Sequence, residues 1–108
     1  PEKVLVYEIS GPMFFGAADK ILDISVGEKD EVLILRMRSV GAIDATALHS
    51  LEQLYADCHK KGITLILSHT NEQPMRMMEK AGFVDKIGRE YFCKHIDDAL
   101  ETAAKIVE

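Results

Sequence analysis

"VLILRMRSVGAIDATALHSLEQL" (residues 32–54) decides how this chain folds. Its first half, VLILRMR (32–38), opens on an unbroken apolar run, as in a strand buried on both faces of a sheet. From Ala45 the pattern changes. Leu48, Leu51, Leu54, Tyr55 and Cys58 fall on one stripe, which predicts a helix over 45–61. Lys60-Lys61 suit the negative end of its dipole, and Gly62 suits the position just past its end. Between strand and helix lies a small-residue loop, Val40-Gly41-Ala42-Ile43, that runs into Asp44. An Asp directly before a helix can accept from the backbone N–H groups that the first turn leaves unpaired, so Asp44 reads as an N-cap. The same N–H groups would form a weak anion site, but the Asp44 carboxylate occupies and opposes it. Thr46 falls in the first turn with its hydroxyl within reach of solvent.

The alternation continues on both sides. VLVYEIS (4–10) reads as a strand that Gly11-Pro12 stops. Phe14, Ala18, Ile21 and Leu22 have helical spacing within 14–24, and Gly27 with the charged run 28–31 makes a turn. ITLILS (63–68) is a further strand. Asn71 to Gln73 can cap a short helix with Pro74 in its first turn, Met75, Met78 and Ala81 facing inward, and Gly82 closing it. A short strand is expected near 91–94. The last helix is expected from Asp97-Asp98, with Asp98 and Glu101 as a capping box and Ile96, Leu100, Ala103 and Val107 as its buried stripe. Strands alternating with helices predict an α/β fold with a mainly parallel sheet of about four strands. Right-handed crossovers between consecutive strands put most of the four helices on one face. No repeat, low-complexity stretch or linker divides residues 1–108, which read as one domain.

Composition narrows the function. The net charge is −5, and the basic residues are scattered, with Lys60-Lys61 the only adjacent pair. That argues against nucleic acid, which needs clustered Lys and Arg. Cys58 and Cys93 make no CxxC and have no His at metal spacing. Cys58 lies on the apolar helix face and reads as a buried free thiol, which fits a reducing cytosol. No apolar run approaches the roughly 18–20 residues that span a bilayer, and no signal peptide is visible. The first residues, Pro1-Glu2-Lys3, lack a Met, so the chain reads as a piece of something larger.

Enzyme chemistry needs converging groups, and the sequence offers no GxSxG, no Cys–His signal and no HExxH. His49 and His59 share a predicted helix but lie about 15 Å apart, too far to share a metal. Asp97-Asp98 and Glu28/Asp30/Glu31 read as cap and turn. Gly11, Gly16 and Gly27 make neither a dinucleotide fingerprint nor a phosphate loop. No catalytic residue and no metal ligand are therefore expected. What remains are the loops at the carboxyl ends of the strands, where parallel sheets bind their ligands. Phe14 and Phe15 cannot both face one core, because helical neighbours are about 100° apart. They make either a wide buried face or a contact surface. The predicted binding or regulatory surface comprises Gly11, Pro12, Phe14, Phe15, Gly41, Asp44, Thr46 and Pro74.

Three stretches, GPMFFGAADKI (11–21), LRMRSVGAIDATALHSLEQL (35–54) and NEQPMRMMEKAGF (71–83), resemble the STAS domain. That domain is shared by bacterial anti-sigma-factor antagonists and the cytoplasmic tails of SulP anion transporters. The resemblance covers essentially the whole chain. The first and third stretches are similar to the transporter branch, which opens on G-P-[LM]-[FY]-F and closes a Pro-containing helix on A-G-[FL]. In the antagonists an Asp precedes a Ser that a partner kinase phosphorylates, whereas here Ala45 follows Asp44 and only Thr46 carries a hydroxyl. The resemblance implies a non-catalytic regulatory domain on the cytoplasmic side of a SulP-type sulfate or anion transporter. Its partner would be the transmembrane unit of that transporter or a cytosolic regulatory protein. It implies no tightly held cofactor, only weak nucleotide binding at these loops. The other branch implies a free-standing partner-switching antagonist with Thr46 as phosphoacceptor.

Overall fold

The computed structural model describes residues 3–9 and 29–108 of the chain. The helix expected over 14–24 and the surface residues Gly11, Pro12, Phe14 and Phe15 lie outside the described residues. Four strands run parallel and lie side by side in chain order: β1 (Val4–Glu8), β2 (Val32–Arg36), β3 (Thr64–Ser68) and β4 (Phe92–Cys93). Val4 pairs with Val32, Ile34 with Ile66, and Leu67 with Phe92. The apolar run of β2 is buried on both faces, as its sequence predicts: Val32, Leu33, Ile34 and Leu35 are all inaccessible.

Side chains alternate across a strand, so each apolar run feeds two cores. Leu33, Leu35, Leu65 and Leu67 face one way. Against them pack Leu48, Leu51, Leu54 and Cys58 of α1 (Ala45–Lys60), Met78 of α2 (Glu72–Lys80), and Phe83, Val84 and Ile87 of α3 (Phe83–Ile87). Val32, Ile34 and Ile66 face the other way and are covered by α4 (Ile96–Val107) through Ala99 and Ala103. Three of the four described helices thus share one face, as expected. Each buried Leu or Ile contributes about 1.5–3 kcal/mol relative to its exposed state. α1 ends as its sequence predicts. Lys61 is the C-cap, and Gly62, at φ +73°, donates its N–H to the His59 carbonyl at 3.1 Å.

Several expectations need correction. Ala81 is exposed and caps α2 instead of facing the core. Gly82, in the left-handed region at φ +76°, ends α2 and also opens α3, which the sequence reading missed along with a 3-10 turn over Arg89–Tyr91. α3 has only five residues, too few for a helical period to show. α4 starts at Ile96 behind His95, with no side-chain cap bond, so the Asp98–Glu101 capping box does not form. The Asp98 carbonyl instead accepts from Thr102 Oγ1 at 3.0 Å. In the α4 stripe Ala103 is fully buried, Ala99 joins it, and Ile96, Leu100 and Val107 are half-buried.

Both cysteines are free. Cys58 is buried as expected, and burial pushes its thiol above the ordinary value, with Lys61 acting weakly the other way. Burial likewise raises Cys93, whose sulfur sits 4.0 Å from Thr102 Oγ1. Both thiols therefore stay protonated at neutral pH and are poor nucleophiles. Among the described residues, no helix is long and apolar enough to cross a membrane.

Candidate functional site

The carboxyl ends of β2 and β3 carry two loops, 37–44 and 69–71, that meet above the sheet. Apolar side chains hold the first loop down: Met37, Val40 and Ile43 are buried in the main core. Gly41 stays exposed, and a Cβ added there meets nothing within 4 Å among the described residues. The loop then delivers Asp44 in extended geometry (φ −108°, ψ −179°) to the start of α1. Its Oδ1 accepts from the Ala47 N–H at 2.9 Å, and its carbonyl accepts from the Leu48 N–H at 3.0 Å. Asp44 is the N-cap that its sequence position predicts. The first turn of α1 holds no other acidic residue, and Ala45 and Thr46 within it are exposed.

The second loop is tied to the first. Asn71 precedes α2 in the cap position, but its side chain makes no cap bond. Its Nδ2 donates instead to the carbonyls of Val40 (2.9 Å), Arg38 (3.1 Å) and Met37 (3.4 Å). Gln73 embraces Ile43: the Ile43 N–H donates to Gln73 Oε1 at 2.8 Å, and Gln73 Nε2 donates to the Ile43 carbonyl at 3.0 Å. Pro74, expected at the surface, is buried in the first turn of α2. The structure thus brings Gly41, Asp44 and Thr46 to one end of the sheet, with Pro74 behind them. Asn71 and Gln73, read from sequence as helix caps only, are the residues that join the two loops. No sequence signal marks such bonds, because their partners lie 30 or more positions away.

Polar groups surround this end. Glu8 holds Arg38 at 3.1 Å and Arg36 at 3.7 Å. Beside Asn71 a hollow of about 470 Å³ opens between β3, β4 and α2, lined by His69, Thr70, Met75, Phe92 and Lys94. His69 is left-handed at φ +53°, and its N–H donates to the Cys93 carbonyl at 2.9 Å. Thr70 Oγ1 is sealed away and finds no hydrogen-bond partner among the described residues. At the other end of the sheet a hollow of about 300 Å³ is lined by Tyr55, His59, Ile63, Ile87 and Tyr91. Tyr55 bridges there from α1 to α3, donating to the Lys86 carbonyl at 3.2 Å and meeting Phe83 edge-on at 6.0 Å. Among the described residues, no group of three or more His, Cys, Asp or Glu side chains is placed to hold a metal ion.

A parallel sheet in sequential strand order, with an Asp-capped helix after the second strand, is the arrangement of a STAS domain. The STAS domain family matches residues 1–103, and the chain belongs to that family. Within it, the chain is similar to the domains of sulfate transporters. It is 31% identical to a SulP transporter STAS domain from Vibrio cholerae, with a TM-score of 0.85 over 99% of this chain and 85% of that one. It is 41% identical to a sulfate transporter family protein from Wolinella succinogenes, with a TM-score of 0.90 over 99% of this chain and 89% of that one. Among curated relatives it is 32% identical, over 88% of its length, to a putative sulfate transporter of Bacillus subtilis. It is 26% identical, over 96% of its length, to probable sulfate transporter 4.2 of Arabidopsis thaliana. The chain spans 18% of the length of each of these two transporters.

Proposed function

We propose that this chain serves as the cytoplasmic STAS domain of a SulP-type sulfate or anion transporter, where it regulates by contact and not by catalysis. The observation that carries this reading is the likeness, over almost its full length, to a solved SulP transporter STAS domain. The junction supports the contact mechanism. Where a phosphoswitch would need a hydroxyl directly after the Asp, this chain has Ala45, and Asp44 is engaged as a helix cap. The exposed Gly41 and Thr46 present a small surface at the strand ends, and Gly11, Pro12, Phe14 and Phe15, which lie outside the described residues, are proposed to take part in the contact. The partner is the transmembrane unit of the same transporter or a cytosolic protein that reports on it.

The test is made in the intact transporter that contains this chain. Deleting the domain is expected to lower sulfate uptake, the amount of transporter at the membrane, or both. Uptake and membrane level that both match the undeleted protein would sink the proposal.

A further inference from the structure

Asn71 precedes α2 and Gln73 lies in its first turn, and among the described residues neither side chain bonds the backbone of that helix; Gln73 Nε2 meets only the Met77 sulfur there, at 3.8 Å. α2 closes on the Asn71 carbonyl, which accepts from the Met75 N–H at 3.0 Å. Both side chains turn instead to the backbone of the other loop. Gln73 takes the N–H and offers a donor to the C=O of one residue, Ile43, at 2.8 and 3.0 Å. A neighbouring strand does the same for a residue in an antiparallel ladder. Asn71 gathers the carbonyls of Val40 and Arg38, with Met37 at the limit of hydrogen-bonding distance. Ile43 is the residue immediately before the Asp44 cap, and its own side chain is buried in the core at 2% exposure.

The geometry points to a latch: Asn71 and Gln73 make loop 37–44 and the first turn of α2 one mechanical unit, and they position Asp44 for capping α1. A contact that displaces α2 by the length of a hydrogen bond then moves Ile43. One residue further on, it moves the carboxylate that holds the Ala47 N–H. Two loops that are separate in sequence answer as one to anything that touches either of them. This coupling belongs to the fold and does not depend on which partner the surface meets.

Amide exchange, followed residue by residue in the 108-residue chain, tests the latch. The Ile43 N–H reads the Gln73 bond and the Ala47 N–H reads the Asp44 cap. Leu65 and Ile66, in the centre of β3, read opening of the whole fold. Gln73→Leu is expected to speed exchange at Ile43 and Ala47 by tenfold or more while Leu65 and Ile66 keep their rates. Gln73→Glu, a gentler change that keeps the acceptor and loses the donor, is expected to give a smaller rise at the same two amides. Asn71→Asp separates a latch from a cap. Asp caps a helix as well as Asn does, so a residue that merely started α2 would tolerate the change. A carboxylate facing the Val40 and Arg38 carbonyls must let them go, so Ala47 is expected to exchange faster while Met75 does not. An Ala47 rate that stays at the wild-type value in all three variants overturns the inference. A rise shared equally by Leu65 and Ile66 also overturns it, because the two side chains would then serve only global stability.

Discussion

At the scale of single residues, Asp44 is engaged in holding the start of α1. Its carboxylate accepts from a donor that the helix cannot satisfy internally. Asp44→Ala should therefore destabilise the domain by about 1 kcal/mol, read as a lower urea midpoint with an unchanged slope. A variant as stable as the wild type would mean that the cap is dispensable. Asp44 was legible in the sequence because capping is a local signal: one Asp, one helix start, and a donor three positions from the acceptor. Gln73 and Asn71 were legible only as turn and cap residues. Their bonds cross 30 to 34 positions of sequence, and only the packed sheet brings the two loops together. Pro74 shows the same limit in reverse. Its type suits a first helical turn, as predicted, but its burial is set by the tertiary fold, which the local pattern does not carry.

Among the elements, α1 and α4 cover the two faces of the sheet in different ways. α1 meets the sheet with leucines, and its 16 residues give the helical period room to declare itself. α4 meets it with Ala99 and Ala103, both fully buried. Small residues there let the helix lie close to Ile34 and Ile66, which pack in the same cluster. Enlarging one of them must push the helix off the sheet. Ala103→Leu is accordingly expected to cost about 1–3 kcal/mol, measured by urea or thermal unfolding. A neutral or stabilising result would place a void under α4 that the packing denies. The sequence placed Ala103 on the buried stripe but overrated Leu100 and Val107, because hydrophobicity alone favours the larger side chain when the clearance of the helix is unknown. α3 escaped notice for a simpler reason. Five residues between two left-handed glycines make one turn and a fraction, and a period needs more than that.

For the whole molecule, alternation predicts a mainly parallel sheet and leaves the strand order open. The strands lie in chain order, β1-β2-β3-β4, and right-handed crossovers between such neighbours put their connecting helices on one face. The consequence for function is directional. All the carboxyl ends, and with them the latched loops, lie at one end of the sheet, while the Tyr55–Tyr91 hollow lies at the other. The proposed contact face occupies the first end, and three substitutions of one kind compare it with a distant surface. Gly41→Glu adds a side chain where nothing stands within 4 Å among the described residues. Thr46→Glu places an acid in a first helical turn, where the dipole favours it. Ala56→Glu makes the same change on an exposed part of α1, ten residues and about 15 Å further along. The most direct measurement is sulfate uptake per copy of the intact transporter at the membrane for these three variants. Gly41→Glu and Thr46→Glu should each lower it severalfold while Ala56→Glu leaves it unchanged. Equal uptake in all three variants, whether at the wild-type level or uniformly reduced, would contradict the assignment of function to the strand-end face.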